Sequence, residues 1–284
     1  MGGRDRADPA QRECGRRRAD ATSAAYARRD PTPVSTPATR EGASMSTIVL
    51  VHGAFADASG WNDVITRLQQ DGHTVYAPAN PLRGLESDAA YLRSFLETLG
   101  GPVVLVGHSY GGAVITNAAT GLDHIAALVY IAAFALDEGE AVGQATGLGG
   151  EAPDLLAVTV IRPFPGAAER DGDAYLNPEV FPQVFCQDVA PELAAAMAAA
   201  QRPAALASLV QPSGPPAWRS IPSWYLVASS DRVIPPAAER AMAARAGATT
   251  VEIESSHVAM ISHPDEVASL IRDAVTASEE AQVA

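Results

Sequence analysis

The feature that most constrains the fold is an alternation of short apolar runs with helical stretches, which begins at residue 47 of this 284-residue chain. The runs Thr47–Val51 (TIVLV) and Ile125–Ala132 (IAALVYIA) are continuous in apolar residues, as strands buried on both faces of a parallel sheet are. The stretches Trp61–Gln70 and Glu86–Leu99 between them have helical patterns. This alternation predicts an α/β fold with a mostly parallel, doubly wound sheet.

The alternation is interrupted once, between about Phe134 and Trp218. That stretch is rich in Gly and Pro at first and then contains an Ala-rich helical section, Glu192–Leu209. We expect about residues 135–218 to form a helical cap, inserted before the last two strands and covering the sheet edge where open α/β sheets bind ligands. The other predicted strands are Thr74–Ala77, Val103–Val106, Ser223–Ala228 and Thr249–Glu254. Of the other predicted helices, one begins near Ser109 and two span Pro236–Ala246 and Pro264–Ala277.

The first 44 residues differ in composition from the rest of the chain. They contain nine Arg and four Pro but hardly any large apolar residue, so we expect them to be disordered. An alternative is that they are an over-extended reading frame, because Met45 directly precedes the first strand. Residues 45–284 are expected to form one globular domain that includes the cap.

The charge of the chain excludes several classes of partner. All 20 cationic residues are Arg, against 33 acidic residues, and the formal net charge is −13. This balance argues against binding to nucleic acid and to anionic membrane surfaces. The two cysteines, Cys14 and Cys186, fit no metal-ligand spacing, and no apolar run approaches a membrane span. We expect a cytoplasmic monomer or homodimer that acts on a small molecule and needs no metal or other cofactor.

A candidate nucleophile lies in the segment Val103–Ala113, VVLVGHSYGGA. An apolar strand runs directly into the pentapeptide Gly107-His108-Ser109-Tyr110-Gly111, and a helix follows. Glycines on both sides of the serine permit a sharp strand-to-helix turn, which exposes the hydroxyl above the sheet edge. We therefore interpret Ser109 as a nucleophile that needs a neighbouring base.

A base and an orienting acid are predicted on later loops. His257 directly follows the TTVEI strand, whereas its rival His263 precedes Pro264 at the entry to the last helix. Asp231 comes at the end of the SWYLVA strand, where it would hold one tautomer of His257 and stabilise the imidazolium. The chain order Ser109, Asp231, His257 is typical of a nucleophile, acid and base on one particular α/β fold.

Two backbone amides are predicted to form an oxyanion hole. The Tyr110 amide lies at a helix N-terminus, where the partial positive charge suits an oxyanion. The second donor is expected on the loop after the first strand, from Ala54, with Phe55 as the next choice. His52 on the same loop, and His108 beside the serine, are interpreted as structural residues rather than second bases.

These motifs resemble those of the α/β-hydrolase superfamily. The resemblance is carried by HGAF (52–55), GHSYGG (107–112), SSDRVIPP (229–236) and SSHVAMISHPDEVASLI (255–271), and is less specific across the cap. Within the superfamily the chain is similar to the branch of methylesterases, salicylate-binding esterases and hydroxynitrile lyases. The resemblance implies the α/β-hydrolase fold, with Ser109, Asp231 and His257 as catalytic triad and the Ala54 and Tyr110 amides as oxyanion hole.

The chain departs from the lyases of that branch. They need a lysine directly after the catalytic histidine, where this chain has Val258, and a hydroxyl residue at the position of Gly53. We therefore expect hydrolysis of a small, neutral, partly apolar carboxylic ester through an acyl-enzyme, with Phe55, Phe134, Trp218 and Val258 lining the pocket. Lactone, thioester or carbon–carbon bond hydrolysis remains open, as does a weakly catalytic small-molecule receptor.

Overall fold

A computed structural model describes residues 46–150, 154–167 and 171–283. The predictions made for residues 1–44 lie outside this part of the chain. The elements before the cap are strands β1 (Thr47–Val51), β2 (Thr74–Tyr76), β3 (Val103–Ser109) and β4 (Ile125–Ala133), and helices α1 (Asn62–Gln70), α2 (Leu85–Leu96) and α3 (Tyr110–Ala118). A short 3₁₀ helix, Ala58–Trp61, precedes α1.

The segment between β4 and the next strand of the main sheet is a cap of mixed structure. It contains helices α4 (Val142–Ala145), α5 (Phe181–Phe185), α6 (Pro191–Ala200) and α7 (Ala207–Val210), two 3₁₀ helices (Leu155–Val158 and Ala217–Arg219), and strands β5 (Thr159–Arg162), β6 (Asp173–Leu176) and β7 (Ala204–Ala205). The three strands form an antiparallel sheet in the order β5-β6-β7. The structure corrects the expectation of a helical cap, because the cap combines short helices with an antiparallel sheet.

The predicted helical section Glu192–Leu209 is divided in the structure. Helix α6 ends at Ala200, and Pro203 separates it from β7 and α7. Proline lacks an amide hydrogen and disfavours helical backbone at the residue before it, which accounts for the break. The amide of Ala205 instead donates a hydrogen bond to the Leu82 carbonyl at 2.9 Å, so β7 is held against the core.

After the cap the chain returns to the main sheet through strands β8 (Ser223–Ala228) and β9 (Thr249–Ile253) and helices α8 (Pro236–Arg245), α9 (Ala259–Ser262) and α10 (Pro264–Val283). The six-stranded sheet has the order β2-β1-β3-β4-β8-β9, and every neighbouring pair is parallel. This confirms the predicted α/β fold with a parallel sheet. Every residue of β3 is buried, because helices cover both faces of the sheet at its centre.

Parallel strands place their carboxyl ends at one edge of the sheet, and the loops that follow β1, β3, β8 and β9 carry the predicted site residues.

Among the residues that the structure describes, no helix is long and apolar enough to cross a membrane.

Candidate active site

Ser109 occupies a strained turn between β3 and α3. Its backbone dihedrals are φ 53° and ψ −126°, in a region that residues with a side chain seldom adopt. The turn is close to the end of β1, since a Cβ added at Gly111 would overlap the Val51 carbonyl oxygen. A Cβ added at Gly107 would lie 2.7 Å from the Gly111 carbonyl group. Glycine at both positions lets the backbone pack closely enough to hold this turn.

Asp231 and His257 form a buried hydrogen-bonded pair. The imidazole Nδ1 of His257 donates to Asp231 Oδ2 at 2.6 Å, and neither side chain is exposed. The other carboxylate oxygen of Asp231 accepts from the amides of Val233 at 2.6 Å and Ile234 at 3.0 Å, so the acid is held on two sides. With Nδ1 donating to Asp231, His257 Nε2 carries the lone pair. That nitrogen is buried and has no hydrogen-bond partner in the described part of the chain.

His108 and Phe185 pack around the His257 ring. The His108 ring centroid lies 4.7 Å from that of His257, and its Nε2 donates to the His257 carbonyl oxygen at 2.8 Å. Complete burial lowers the pKa of His108 well below its ordinary value, which keeps this ring neutral. Phe185 from α5 contacts His257 edge-on with ring centroids 5.1 Å apart. The residue next to Ser109 thus anchors the backbone of His257, although Ser109 itself makes no hydrogen bond to His257 in the described structure.

The loop after β1 lies directly against Ser109. A Cβ added at Gly53 would lie 2.6 Å from Ser109 Cβ and 2.9 Å from the His108 carbonyl oxygen. In the described part of the chain, neither the Ala54 amide nor the Tyr110 amide donates to a protein acceptor. The Phe55 amide donates to the Arg202 carbonyl oxygen at 2.9 Å, so of the two alternatives on this loop only Ala54 has an available N–H.

His52 uses both of its ring nitrogens to hold the same loop. Nδ1 donates to the Gly53 carbonyl oxygen at 2.9 Å, and Nε2 accepts from the Asn80 amide at 2.9 Å. The Asn80 side chain donates back to the His52 carbonyl oxygen at 3.0 Å. Burial lowers the pKa of His52. These contacts confirm the structural interpretation of His52 and leave it no free nitrogen with which to act as a second base.

A cavity of about 460 Å³ lies beside these loops. Phe55 and Val258 are part of its lining, whereas Phe134 and Trp218 are not. Phe134 is buried and its amide donates to the Ser109 carbonyl oxygen at 3.1 Å, so it packs behind the turn. Trp218 donates its indole N–H to the Leu136 carbonyl oxygen at 2.9 Å. The structure therefore brings two of the four predicted pocket residues to this cavity.

A cap segment, Gln183–Asp188, contacts both loops that carry the buried pair. The side-chain Nε2 of Gln187 donates to the Ser230 carbonyl oxygen at 2.6 Å, next to Asp231. A carboxylate oxygen of Asp188 accepts from the Ser256 amide at 2.7 Å, next to His257. Arg232 in turn donates to the Gln183 carbonyl oxygen at 2.9 Å. The sequence contains no signal for these contacts, because they join residues that lie far apart in the chain.

The described residues contain no cluster of three or more His, Cys, Asp or Glu side chains that could hold a metal ion. The arrangement brings together a serine on a strained turn, a histidine oriented by a carboxylate, and two free amides at the same sheet edge. Such a group can attack a carbonyl carbon and stabilise the oxyanion that forms.

Comparison with known proteins supports this assignment of fold. The model of the Alpha/beta hydrolase family matches residues 48–270, and the chain belongs to that family. A carbendazim hydrolyzing esterase from Nocardioides sp. (strain SG-4G) is 35% identical over 111 residues, which are 34% of this chain and 46% of that protein. The chain thus matches less than half the length of this curated relative.

Solved structures agree with the branch that the motifs indicate. Polyneuridine aldehyde esterase superposes with a TM-score of 0.70 at 22% identity, covering 81% of this chain and 99% of that one. The methylesterase MES16 from Arabidopsis superposes with a TM-score of 0.65 at 20% identity, covering 82% of this chain and 99% of that one. These neighbours confirm the resemblance to the methylesterase branch, and at this identity the likeness is one of fold. Membership of the Alpha/beta hydrolase family supports a hydrolase in general.

Proposed function

We propose that the protein is a serine hydrolase that cleaves a small, neutral, partly apolar carboxylic ester through an acyl-enzyme. The observation that carries the proposal is the buried hydrogen bond of 2.6 Å between His257 Nδ1 and Asp231 Oδ2. It sets the tautomer in which Nε2 can accept a proton, at the sheet edge where Ser109 lies on its strained turn.

Acylation follows from the roles of these groups. Ser109 Oγ attacks the ester carbonyl carbon while His257 Nε2 accepts the hydroxyl proton. The Ala54 and Tyr110 amides donate hydrogen bonds to the resulting oxyanion, each contributing about 10²–10³ in rate. Asp231 remains ionised and stabilises the imidazolium, which then protonates the departing alcohol.

Deacylation repeats these steps with water. His257 Nε2 accepts a proton from a water molecule, whose oxygen attacks the acyl carbon. The second oxyanion collapses, the bond to Ser109 Oγ breaks, and the imidazolium returns its proton to the serine. The carboxylic acid leaves and the enzyme is restored.

The cavity beside the site supports the substrate class. Leu193, Met197 and Met260 supply apolar surface, and the charged residues of the lining are the acids Asp57 and Asp63. An apolar wall favours an apolar acyl or alcohol group, and the two carboxylates repel an anionic substrate. A neutral ester fits this combination best.

The test is steady-state hydrolysis of p-nitrophenyl esters of increasing acyl length by the wild type and by Ser109→Ala. We expect turnover well beyond one equivalent, and a loss of kcat of at least about 1,000-fold in the variant. Ser94→Ala is the matched control, because Ser94 is exposed on α2, and it should keep the wild-type rate.

Three results would contradict the proposal. Equal rates for the wild type and Ser109→Ala would show that this serine is not the nucleophile. Failure of the wild type on every ester, with turnover of lactones or thioesters instead, would move the activity to one of those classes. Binding without turnover of any of them would indicate a receptor.

A further inference from the structure

Glu239 is a buried acid that the proposed reaction does not use. It lies in the first turn of α8 and is completely inaccessible to solvent. One carboxyl oxygen accepts from the Ala228 amide at 3.0 Å, and the other has no hydrogen-bond donor in the described part of the chain. Ala228 ends β8, and its own carbonyl oxygen accepts from the Asp231 amide at 3.1 Å. Through Ala228, the Glu239 carboxyl group is joined to the turn that carries Asp231, and the Asp231 side chain is close enough to act on its pKa.

The two neighbouring carboxyl groups differ in what surrounds them. Asp231 accepts hydrogen bonds from two backbone amides and from the His257 imidazole, which together stabilise an anion. Glu239 accepts only one amide. Burial, and then the charge of Asp231, raise the pKa of Glu239 well above its ordinary value. With three donors on Asp231 and one on Glu239, a proton shared by the pair is favoured on Glu239.

Arg240 favours a charge on Glu239, but its effect is smaller than that of burial or of Asp231. Arg240, the next residue, is half exposed and is paired with Glu252 at 2.6 Å. Tyr225 of β8 donates its hydroxyl to the Ala133 carbonyl oxygen, and burial raises its pKa well above the ordinary value. The groups that face Glu239 are thus a carboxylate and a neutral phenol, which do not favour an ionised Glu239, and one backbone amide, whose single hydrogen bond is outweighed by burial.

We propose that Glu239 is a positioning residue: as a neutral carboxylic acid it donates its O–H to Asp231 and so fixes the carboxylate that orients His257. Its proton is not transferred during the reaction, and Asp231 keeps the negative charge that stabilises the imidazolium. The kinetic consequences of this inference rest on the proposed function, whereas the protonation state of Glu239 does not.

Two variants separate the donated hydrogen bond from the side chain's volume. Glu239→Gln replaces one neutral donor by another of the same shape, and Glu239→Leu keeps a similar volume without a donor. For Glu239→Gln we expect kcat within about twofold of the wild type and an unchanged acidic limb in the pH profile of kcat/KM. For Glu239→Leu we expect kcat to fall by about tenfold at unchanged KM, which is the effect of losing one hydrogen bond to a charged group.

For each variant we also expect a defined effect on the pH profile of kcat/KM. Without its donor, Asp231 attracts the imidazolium more strongly, so the acidic limb of Glu239→Leu should move to higher pH. A shift of the acidic limb of Glu239→Gln to lower pH would show that a negative charge had been removed, and would overturn the proposal. Equal kinetic losses in Glu239→Gln and Glu239→Leu would also overturn it, because the donor would then have no specific role.

An infrared difference spectrum tests the proton without reference to activity. At neutral pH, the wild type minus Glu239→Gln should show the carbonyl stretching band of a protonated carboxylic acid. Glu266→Gln is the matched control: its carboxylate is exposed on α10, so the same subtraction should show no such band. Absence of the band from the wild type would overturn the assignment whatever the esterase assay shows. If the band is present but Ser109→Ala hydrolyses esters as fast as the wild type, only the proposed function fails.

Discussion

A buried neutral acid at position 239 makes the stability of the protein depend on pH in a defined direction. Glu239 has an ordinary pKa of 4.5 when unfolded, and burial and Asp231 raise its pKa in the folded state. Between these two pKa values the folded chain holds one more proton than the unfolded chain. The free energy of unfolding therefore falls as the pH rises through that window, and the contribution of this carboxyl group is fully retained only below pH 4.5.

The size of this effect follows from the linkage relation. One extra proton in the folded state corresponds to a loss of about 1.4 kcal/mol of stability per pH unit. Glu239→Gln removes the titration, because an amide does not ionise. The variant should therefore gain stability relative to the wild type by about 1.4 kcal/mol for each unit of rising pH across the window. Exchanging the acid for an amide can also change the free energy of unfolding by an amount that does not depend on pH, but this amount is the same at every pH and leaves the slope unchanged.

Urea unfolding followed by circular dichroism, at half-unit steps from pH 5 to pH 8, measures the slope. The quantity to plot is the free energy of unfolding of Glu239→Gln minus that of the wild type. Glu266→Gln, with its exposed carboxylate, is the control and should give a nearly flat difference. A flat difference for Glu239→Gln as well, or one that falls with pH, would refute the argument that Glu239 is buried as a neutral acid.

Three further predictions concern the loops around the buried pair. Gly53→Ala introduces a methyl group 2.6 Å from Ser109 Cβ, so the loop after β1 must move. We expect kcat to fall about 100-fold, and an unchanged kcat would contradict the close approach of this loop to Ser109. Asp188→Ala removes the acceptor for the Ser256 amide and should lower kcat about tenfold. Asp188→Asn keeps an acceptor oxygen and should lower kcat less. Equal losses of kcat in the two variants would show that this hydrogen bond is unimportant. Phe185→Ala empties a fully buried site and should cost about 3–5 kcal/mol in urea unfolding, more than Phe185→Leu does.

Local patterns predicted the framework of the fold. The strands Thr47–Val51 and Ser223–Ala228 begin and end in the structure at the residues expected from the sequence. The strand, glycine and helix pattern around Ser109 also predicted the turn that the structure contains. Such patterns succeed because a buried parallel strand needs a continuous apolar run, and a tight turn needs glycine at points of close backbone contact.

Part of the site followed from the order of loops on a parallel sheet. The sequence predicted Asp231 and His257 as partners, and the structure joins them by a hydrogen bond of 2.6 Å. Pocket residues were less predictable: Phe55 and Val258 line the cavity, while Trp218 uses its indole N–H within the cap. An aromatic side chain carries no sequence signal for whether it faces a cavity or packs inside the protein, since burial alone satisfies it in both places.

The sequence by itself determined the apolar strands of the parallel sheet and the turn at Ser109, because each depends on residues close together in the chain, and it predicted Asp231 and His257 as partners. Tertiary structure decided the three-stranded sheet of the cap, the contacts of Gln183–Asp188 with the two loops, and the burial of Glu239. In the sequence, Glu239 is one charged residue in the alanine-rich helix α8. Only the packing of α8 against β8 removes it from water, and removal from water is what turns an ordinary carboxylate into a neutral hydrogen-bond donor.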